Sequence, residues 1–454
     1  MDLKNKTVLV AGTGISGIGA TKLLMAVGAQ IILYDSNEAL TKEDILGRFD
    51  GPVTGVRVVT GELLPELIKT LDLAVLSPGV PIDAPFVTAM KDMGVKVWGE
   101  IELAYNYAKG RLAAITGTNG KTTTTALTGE ILSAWADQVF VVGNIGNSYT
   151  QRALETTQDS VTVAEISSFQ LETIEHFHPN VSAVLNITPD HLNRHHTMEC
   201  YIDTKKRIFE NQGGEDVVVL NYDDEVTRAM AGDTKAKVIF FSGRHELTEG
   251  YYFKDGEIVY AHDGQKEHVC FDRDLNILGL HNMENVMAAT AITRSLGVPM
   301  DVISKVLTGF KAVEHRIEYV AAKKGVFYYN DSKGTNPDAA IKAVEAMVRP
   351  TLLIGGGYDK QSEYDEWIGS FGGKVRLLVL LGQTADKIEA CARRHGFNDI
   401  VRVDSLEAAV KVCAARAHEG DAVLLSPACA SWGMFKNYEE RGRLFKDYVH
   451  QLAD

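Results

Sequence analysis

Short apolar runs alternate with helical patterns along the whole chain. In the first segment the runs lie at Thr7–Ala11, 31–34, Leu73–Leu76 and 95–98, and a helical pattern follows the first run to about Val27. Apolar runs of about four to eight residues bounded by turn residues are typical of strands buried on both faces. Alternating strands and helices predict a parallel sheet with helices on its faces.

A second segment repeats this alternation and then changes character. A helical stretch at Glu100–Tyr107 leads into it, and a helix at 282–295 ends it. Alternating apolar residues and Asp-Gly pairs at 251–263 predict a hairpin. Its buried strands are predicted at 139–142, 161–166, 181–186 and 217–220.

A third segment begins near Lys311 and ends with a helix at 442–452. Its predicted strands are Val326–Asn330, 351–354, 375–381 and Ala422–Leu425. A length of 454 residues indicates about three domains. The sequence therefore predicts an α/β fold of three domains, each built on a mainly parallel sheet, at residues 1–98, 99–311 and 312–454.

One glycine-rich turn carries the strongest chemical signal. The residues Gly117, Thr118, Asn119, Gly120, Lys121, Thr122 and Thr123 follow an apolar run and open a helical pattern. Glycines let backbone N–H groups point at a phosphate, the lysine adds charge, and the first threonine suits Mg²⁺. Ile115 stands where the usual motif has its first glycine, so a plain turn with a surface lysine is the alternative.

A second glycine-rich turn follows the first strand. Gly12, Gly14 and Gly17 have dinucleotide-motif spacing, and Asp35 follows at the end of the next strand. Such a motif alone is weak, and it fits nicotinamide, another nucleotide-linked ligand or glycines that serve packing alone. Ser77-Pro78-Gly79 is predicted to line the same crevice.

Polar residues follow three strands of the second segment. They lie in the Gly143-Asn144-Ile145-Gly146 turn, at Glu165 and at His191. Strand ends of a parallel sheet meet at one edge, and these donors suit a Mg²⁺-nucleotide. Helix caps and turns are the alternative for each.

Two further positions stay open on the residues alone. Composition around Lys205, in a Lys-Lys-Arg run, favours a solvated basic helix face. Asn282 and Asn285 suit helix capping and reading a purine edge equally well.

The third segment carries lysines at strand ends. Lys333 and Lys360 suit the carboxylates of an acidic amino acid, and Thr335 adds a hydroxyl. The segment 426–438, which includes Ser431, could offer hydroxyl and amide donors to the same carboxylates. These loops serve only as turns in the alternative interpretation.

Composition limits the class of protein. Hydrophobic residues make up 45% and charged residues 23%, as in globular proteins, and the net charge of −14 argues against a general binder of nucleic acid or anionic membranes. An anionic substrate must then be held by local basic groups. Five scattered cysteines and a first strand without a signal-peptide core predict a cytosolic protein. With no apolar interface stripe, we expect a monomer.

With these loops in place, the chain resembles the ATP-dependent muramyl ligases over essentially its whole length. Thr116-Gly-Thr-Asn-Gly-Lys-Thr122 is similar to that family's own phosphate loop. The motifs 331–336 and 426–431 resemble the member that adds D-glutamate to UDP-N-acetylmuramoyl-L-alanine during peptidoglycan synthesis. Ser36-Asn37 and Tyr438 depart from residues that are more often Thr-Arg and Phe.

The resemblance implies an N-terminal Rossmann-like domain for the UDP part, a central P-loop ATPase domain and a C-terminal Rossmann-like domain for the amino acid. The UDP-substrate residues it implies are Ile15, Ser16, Asp35, Ser36, Ser77, Gly79, Asn144 and His191. The D-glutamate residues it implies are Lys333, Thr335, Lys360, Ser431 and Tyr438.

For ATP, the resemblance adds Asn285 at the adenine, with Arg316 and Asp331, to the phosphate loop. It implies two Mg²⁺ ions, held by Thr122, Glu165, His191 and Lys205. Lys205 matches a lysine that is carbamylated in the family, which reverses its interpretation as a solvated face. Lys121, His191, Lys205 and Glu165 are the implied catalytic residues.

The implied reaction makes an amide through an acyl phosphate. The competing hypotheses are a sister ligase or folylpolyglutamate-type enzyme with another amino acid, a nicotinamide dehydrogenase and a non-catalytic nucleotide switch.

Overall fold

A computed structural model describes residues 1–51, 53–144, 147–311 and 313–453, with the side chain of Asn193 excepted. The described chain forms two compact units. The first comprises Met1–Cys270 and Glu284–Leu307, and the second comprises Phe271–Met283 and Thr308–Asp454. None of the helices in the described ranges combines the length and the apolar character needed to cross a bilayer.

The N-terminal sheet has five parallel strands in the order β3-β2-β1-β4-β5. The strands are β1 (Thr7–Ala11), β2 (Gln30–Asp35), β3 (Val56–Thr60), β4 (Leu73–Leu76) and β5 (Lys96–Gly99). The helices are α1 (Ile15–Ala26), α2 (Lys42–Leu46), α3 (Pro65–Ile68), α4 (Pro85–Asp92) and α5 (Glu100–Tyr107). Strand order reverses between β1 and β4, where open parallel sheets form their ligand crevice.

The central sheet has nine strands in the order β14-β13-β12-β11-β10-β9-β6-β8-β7. They are β6 (Arg111–Thr116), β7 (Val139–Gly143), β8 (Val161–Glu165), β9 (Val181–Val184), β10 (Val217–Asn221), β11 (Lys237–Ser242), β12 (Gly250–Lys254), β13 (Glu257–His262) and β14 (Gln265–Phe271). From β7 across the sheet to β12, each pair of neighbouring strands is parallel. The predicted hairpin is the antiparallel pair β12–β13.

The helices of this part of the chain are α6 (Lys121–Ser133), α7 (Tyr149–Arg152), α8 (Ser168–Leu171), α9 (Leu192–His195), α10 (Met198–Lys206), α11 (Glu225–Ala229), α12 (Leu280–Ser295) and α13 (Met300–Gly309). Helix α6 begins directly at the phosphate-loop lysine. Helix α8 has a capping box, in which the Ser167 hydroxyl accepts from Gln170 N and the Gln170 side chain accepts from Ser167 N.

The third sheet has six strands in the order β15-β16-β20-β17-β18-β19, parallel except for the β15–β16 pair. They are β15 (Glu318–Lys323), β16 (Val326–Asn330), β17 (Thr351–Gly355), β18 (Val375–Leu380), β19 (Ile400–Arg402) and β20 (Ala422–Leu425). The helices are α14 (Pro337–Ala346), α15 (Asp365–Gly369), α16 (Ala385–Arg394), α17 (Leu406–Arg416) and α18 (Tyr438–His450).

The three mainly parallel sheets confirm the predicted fold class. Sequence patterns missed β3, β11, β14, β15 and β19, most of whose residues are half-buried or exposed rather than fully buried. Helix α18 begins four residues before the predicted start, because the Asn437 side chain caps it by accepting from Glu440 N. The boundaries between domains stay a prediction, and Ala312 and Asp454 lie outside the described residues.

Candidate active site

The phosphate loop lies at the carboxyl end of the central strand β6. Gly120, the N-cap of α6, has φ of +84°, and a Cβ there would lie 2.3 Å from Asn285 Oδ1. Both the backbone angle and this close approach therefore require glycine. The threonine hydroxyl of Thr124, one turn into the helix, donates to the same Asn285 oxygen over 3.2 Å.

The loop is tied to the end of β9. Asn119 N donates to Asn186 Oδ1 over 2.8 Å, and Asn186 Nδ2 donates to Asn119 O over 3.1 Å. The Thr118 hydroxyl donates to Thr188 O over 3.1 Å. These bonds tie the loop to the strand end and so hold it in a fixed shape.

Lys121 reaches back over its own loop. Its Nζ donates to Gly117 O over 2.9 Å and to Thr118 O over 2.8 Å. Thr122 and Thr123 continue the first turn of α6, Thr122 half-buried and Thr123 buried. The Lys121 ammonium and the N-terminus of α6 therefore lie together at the phosphate loop, as the motif predicts.

Glu165 is a buried carboxylate beside this loop. It ends β8, pairs in register with Ile115 of β6 and is only 2% exposed. Its Oε1 accepts from Asn144 Nδ2 over 2.9 Å, whereas its Oε2 has no hydrogen-bond partner in the described part of the chain. A buried carboxylate oxygen without a donor fits a hard cation. Of the predicted turn after Asn144, Ile145 and Gly146 lie outside the described residues.

His191 stands at the N-cap of α9 in a left-handed conformation, with φ of +54°. Its side chain is about half-exposed, its ring centroid lies 4.9 Å from that of Phe169, and its Nε2 lies 3.6 Å from Asp190 Oδ2. The half-exposed imidazole is accessible to a substrate or a metal.

The burial of Lys205 contradicts the interpretation of its helix as a solvated basic face. The residue is 2% exposed, and its Nζ donates to Gly117 O over 2.9 Å and to Thr116 Oγ1 over 3.3 Å. Burial, followed by the positive charge of Lys121, lowers the pKa of this amine well below its usual value. Composition could not reveal this, because the adjacent Lys206 is indeed a partly exposed surface residue paired with Asp233.

The N-terminal turn brings the predicted UDP-side residues to one sheet edge. A Cβ on Gly17 would lie 1.8 Å from Gly12 O, so the turn packs too tightly for any side chain there. Asp35 Oδ2 accepts from the Thr13 hydroxyl over 2.6 Å, and the Ser77 hydroxyl donates to Gly12 O over 3.5 Å. The remaining four residues differ in exposure: Ile15, Ser36 and Gly79 are exposed and Ser16 is half-buried.

In the second unit, the predicted D-glutamate residues follow strand ends. Lys333 Nζ donates to the Tyr438 hydroxyl over 2.7 Å and lies 4.0 Å from the centroid of its ring. Lys360 Nζ lies 5.7 Å from the Trp432 ring. Ser431 is buried, and Thr335 is half-buried, with its N donating to Lys333 O over 2.8 Å.

Asp331 and Arg316, assigned to the nucleotide by resemblance, also belong to the second unit. The Ser426 hydroxyl donates to Asp331 Oδ2 over 2.7 Å. Burial raises the pKa of this carboxyl to about 7, against the opposing effects of that bond and of the Arg316 charge. Asp331 thus links the two sequence motifs of this unit.

The sequence missed Arg441. Its guanidinium is buried at 2% exposure and donates to Ser332 Oγ over 3.0 Å, Ser332 O over 2.8 Å and Cys429 O over 3.1 Å. It therefore joins the 331–336 loop to the 426–431 loop. The sequence could have indicated Arg441 only through its position in the first turn of α18. That position follows only when the helix is predicted to begin at Tyr438.

Three family models match this chain in order. A MurD-like Mur ligase N-terminal domain matches residues 6–99, a Mur ligase middle domain matches 115–293, and a Mur glutamate ligase domain matches 315–429. These matches cover the three sheets in turn.

Relatives match the chain from end to end. A UDP-N-acetylmuramoylalanine–D-glutamate ligase from Lachnospira eligens is 58% identical, and one from Lachnoclostridium phytofermentans is 56% identical, each over 100% of both chains. Among solved structures, MurC of Thermotoga maritima superposes with a TM-score of 0.61 at 18% identity, covering 98% of this chain and 99% of that one. MurF of the same organism gives 0.60 at 19%, covering 99% and 96%. The chain therefore belongs to the Mur ligase family.

Proposed function

We propose that the chain is an ATP-dependent ligase that joins D-glutamate to UDP-N-acetylmuramoyl-L-alanine, a step of peptidoglycan precursor synthesis. The observation that carries this proposal is the meeting of Lys121, Glu165 and Lys205 around one phosphate loop, in a chain 58% identical to a D-glutamate ligase. Both its cytoplasmic location and its monomeric state stay predictions.

The first step joins two anions. A carboxylate oxygen of the muramoyl-alanine substrate attacks the γ-phosphorus of ATP, and ADP leaves as the acyl phosphate forms. Lys121 and the loop amides position the phosphates and offset the repulsion between the reactants. Thr122, Glu165 and His191 are the residues that would hold Mg²⁺, which supplies further charge neutralisation when bound.

The second step makes the amide bond. The neutral amine of D-glutamate attacks the acyl carbonyl, inorganic phosphate leaves, and the amine loses a proton. Lys333, Lys360 and Thr335 are proposed to hold the carboxylates of D-glutamate. The hydrogen bond from Lys333 Nζ to the Tyr438 hydroxyl supports a polar, positively charged binding pocket for these carboxylates.

We also propose that Lys205 reacts with CO₂. Its lowered pKa favours the neutral amine, which attacks the carbon of CO₂ and releases one proton as the carbamate forms. The product exchanges a disfavoured buried cation for an oxygen anion beside Lys121 and suits a second Mg²⁺.

The carbamate is tested by bicarbonate dependence. Wild-type activity should fall in CO₂-free buffer and return with bicarbonate, whereas Lys205→Ala should stay low in both. The neighbouring Lys206→Ala is the control and should respond as wild type does. Full wild-type activity in CO₂-free buffer would remove the carbamate without touching the ligase assignment.

The ligase itself is tested by phosphate release from ATP with UDP-N-acetylmuramoyl-L-alanine and one amino acid at a time. We expect release with D-glutamate and none with L-glutamate, L-lysine or diaminopimelate. Turnover with L-lysine or diaminopimelate would move the chain to a sister ligase. Turnover with a folate in place of the UDP substrate would indicate a polyglutamate-adding enzyme.

A further inference from the structure

A UDP-linked substrate brings a diphosphate to the N-terminal sheet, and this inference rests on the proposed function. The net charge of −14 provides no general attraction for such an anion. The UDP-side residues of this sheet include no cationic side chain, and Asp35 adds a negative charge. They are Ile15, Ser16, Asp35, Ser36, Ser77 and Gly79. Asn37, beside this group, is uncharged as well. A positive group is therefore missing from the predicted set.

Arg48 supplies that charge at the right place. It follows helix α2 and is exposed. Its Nη1 donates to the Thr13 hydroxyl over 2.7 Å and to Thr13 O over 3.1 Å. The same hydroxyl donates to Asp35 Oδ2 over 2.6 Å. Thr13 lies inside the glycine-rich turn, so these bonds hold the guanidinium against the turn that precedes α1.

The charge of Arg48 is not neutralised by an ion pair. Across the described residues, no carboxylate oxygen lies within 4.0 Å of its guanidinium, although its charge acts on the Asp44 carboxylate without an ion pair, and neither Nε nor Nη2 makes a hydrogen bond. These two nitrogens form the open edge of the guanidinium, the edge that binds two phosphate oxygens at once.

Another arginine near this sheet edge serves as a contrast. Arg194 Nη2 donates to Val80 O over 2.8 Å, close to the Ser77–Gly79 turn. However, its Nε and Nη2 both bind the Glu172 carboxylate, over 3.2 and 2.5 Å. The Nε and Nη2 edge of Arg194 is therefore occupied and its charge is neutralised by Glu172, so this arginine has a structural role. The same edge of Arg48 remains available to an anion.

We propose that Arg48 binds the diphosphate of the UDP-linked substrate through its Nε and Nη2 edge. Thr13 fixes the guanidinium from behind, and Asp35 fixes Thr13. The arginine therefore determines preference for a nucleoside diphosphate over the nucleoside alone.

The test is calorimetric binding of uridine, UMP and UDP to the full chain. Arg48→Ala should weaken UDP binding about 10- to 100-fold, the loss of a charge-assisted hydrogen-bond pair. It should weaken UMP less and leave uridine unchanged. Arg48→Lys, which keeps the charge without the fork, should be intermediate for UDP.

The matched control is Arg57→Ala, which removes an exposed arginine from strand β3 of the same sheet. It should bind all three ligands as wild type does. In turnover assays, Arg48→Ala should raise KM for the UDP substrate and leave KM for ATP unchanged.

Unchanged UDP binding in Arg48→Ala would overturn the inference. An equal loss for uridine would also overturn it, since the arginine would then act on the base or ribose side or through the shape of the turn. Wild type that fails to bind UDP at all would contradict the proposed function itself, a result distinct from either.

Discussion

At the scale of single residues, two lysines share one loop and differ in role. Lys121 Nζ and Lys205 Nζ both donate to Gly117 O, each over 2.9 Å. Burial, followed by the neighbouring positive charge of Lys121, lowers the pKa of the more buried Lys205 well below its usual value. Lys121 is therefore the lysine placed to contact the phosphates, and Lys205 is the lysine that we propose reacts with CO₂.

Replacing Lys121 by alanine should lower phosphate release about 100- to 1,000-fold, because the charge that stabilises the transferring phosphoryl group is lost. Steady-state assays at saturating ATP measure this. Lys235→Ala, which removes an exposed lysine of the same unit, is the control and should leave the rate unchanged. An undiminished rate in Lys121→Ala would exclude the loop from the chemistry.

Residue types could predict the phosphate loop and Glu165, because both follow buried strands whose ends must meet at one edge. Lys205, Arg48 and Arg441 could not be predicted from residue types. Each is a cation whose role depends on which of several neighbouring charges a tertiary contact buries or leaves open. The sequence around Lys205 contains three consecutive cations, and burial alone separates them.

At the scale of elements, helix α5 begins with an unusual buried carboxyl. Glu100 Oε1 accepts from Gln170 Nε2 over 2.7 Å, whereas Oε2 has no partner in the described chain. Burial raises the pKa of Glu100 from its ordinary 4.5 to about 7. The folded protein therefore holds this proton more tightly than the unfolded chain, and stability is lost as pH rises from about 4.5 to about 7.

Glu100→Gln should remove this dependence while keeping an oxygen for Gln170. Relative to wild type, the variant should gain stability with rising pH, by up to about 3 kcal/mol above pH 7 at roughly 1.4 kcal/mol per pKa unit. Urea unfolding of both proteins at several pH values from 5 to 8 measures the difference. Parallel curves for the two proteins would show that Glu100 is already ionised when folded.

The first turn of α1, which packs on the β1–α1 loop, depends on a glycine without a positive φ. Gly17→Ala should destabilise the protein by at least about 2 kcal/mol, since its Cβ would overlap Gly12 O. Gly14→Ala, at the N-cap of the same helix with nothing within 4 Å, should cost at most about 1 kcal/mol. Urea midpoints compare the two variants. Equal midpoints would contradict the packing account of this motif.

Patterns predicted the buried elements better than the partly exposed ones. The bounds of strands β1, β4 and β20 are predicted correctly, because apart from Thr7 they consist of buried apolar residues. Strand β3 carries half-exposed residues throughout, so its short pattern resembles a loop. The hydrophobic pattern of a segment reflects how much of it is buried, and an edge strand buries few of its side chains.

At the scale of the whole molecule, three sheets carry three sets of polar residues, each after strand ends. We propose that the N-terminal sheet serves UDP recognition, the central sheet serves phosphoryl transfer and the third sheet serves amino-acid binding. Membership of the Mur ligase family supports this assignment for the chain as a whole.

The central claim is that the γ-phosphate passes to the substrate carboxylate before the amide forms. Oxygen-18 placed in both carboxylate oxygens of UDP-N-acetylmuramoyl-L-alanine tests it directly, with mass analysis of the phosphate released in the presence of ATP and D-glutamate. The account predicts one labelled oxygen in each phosphate, because the attacking oxygen leaves with the phosphorus. Unlabelled phosphate, or label recovered in AMP, would contradict it.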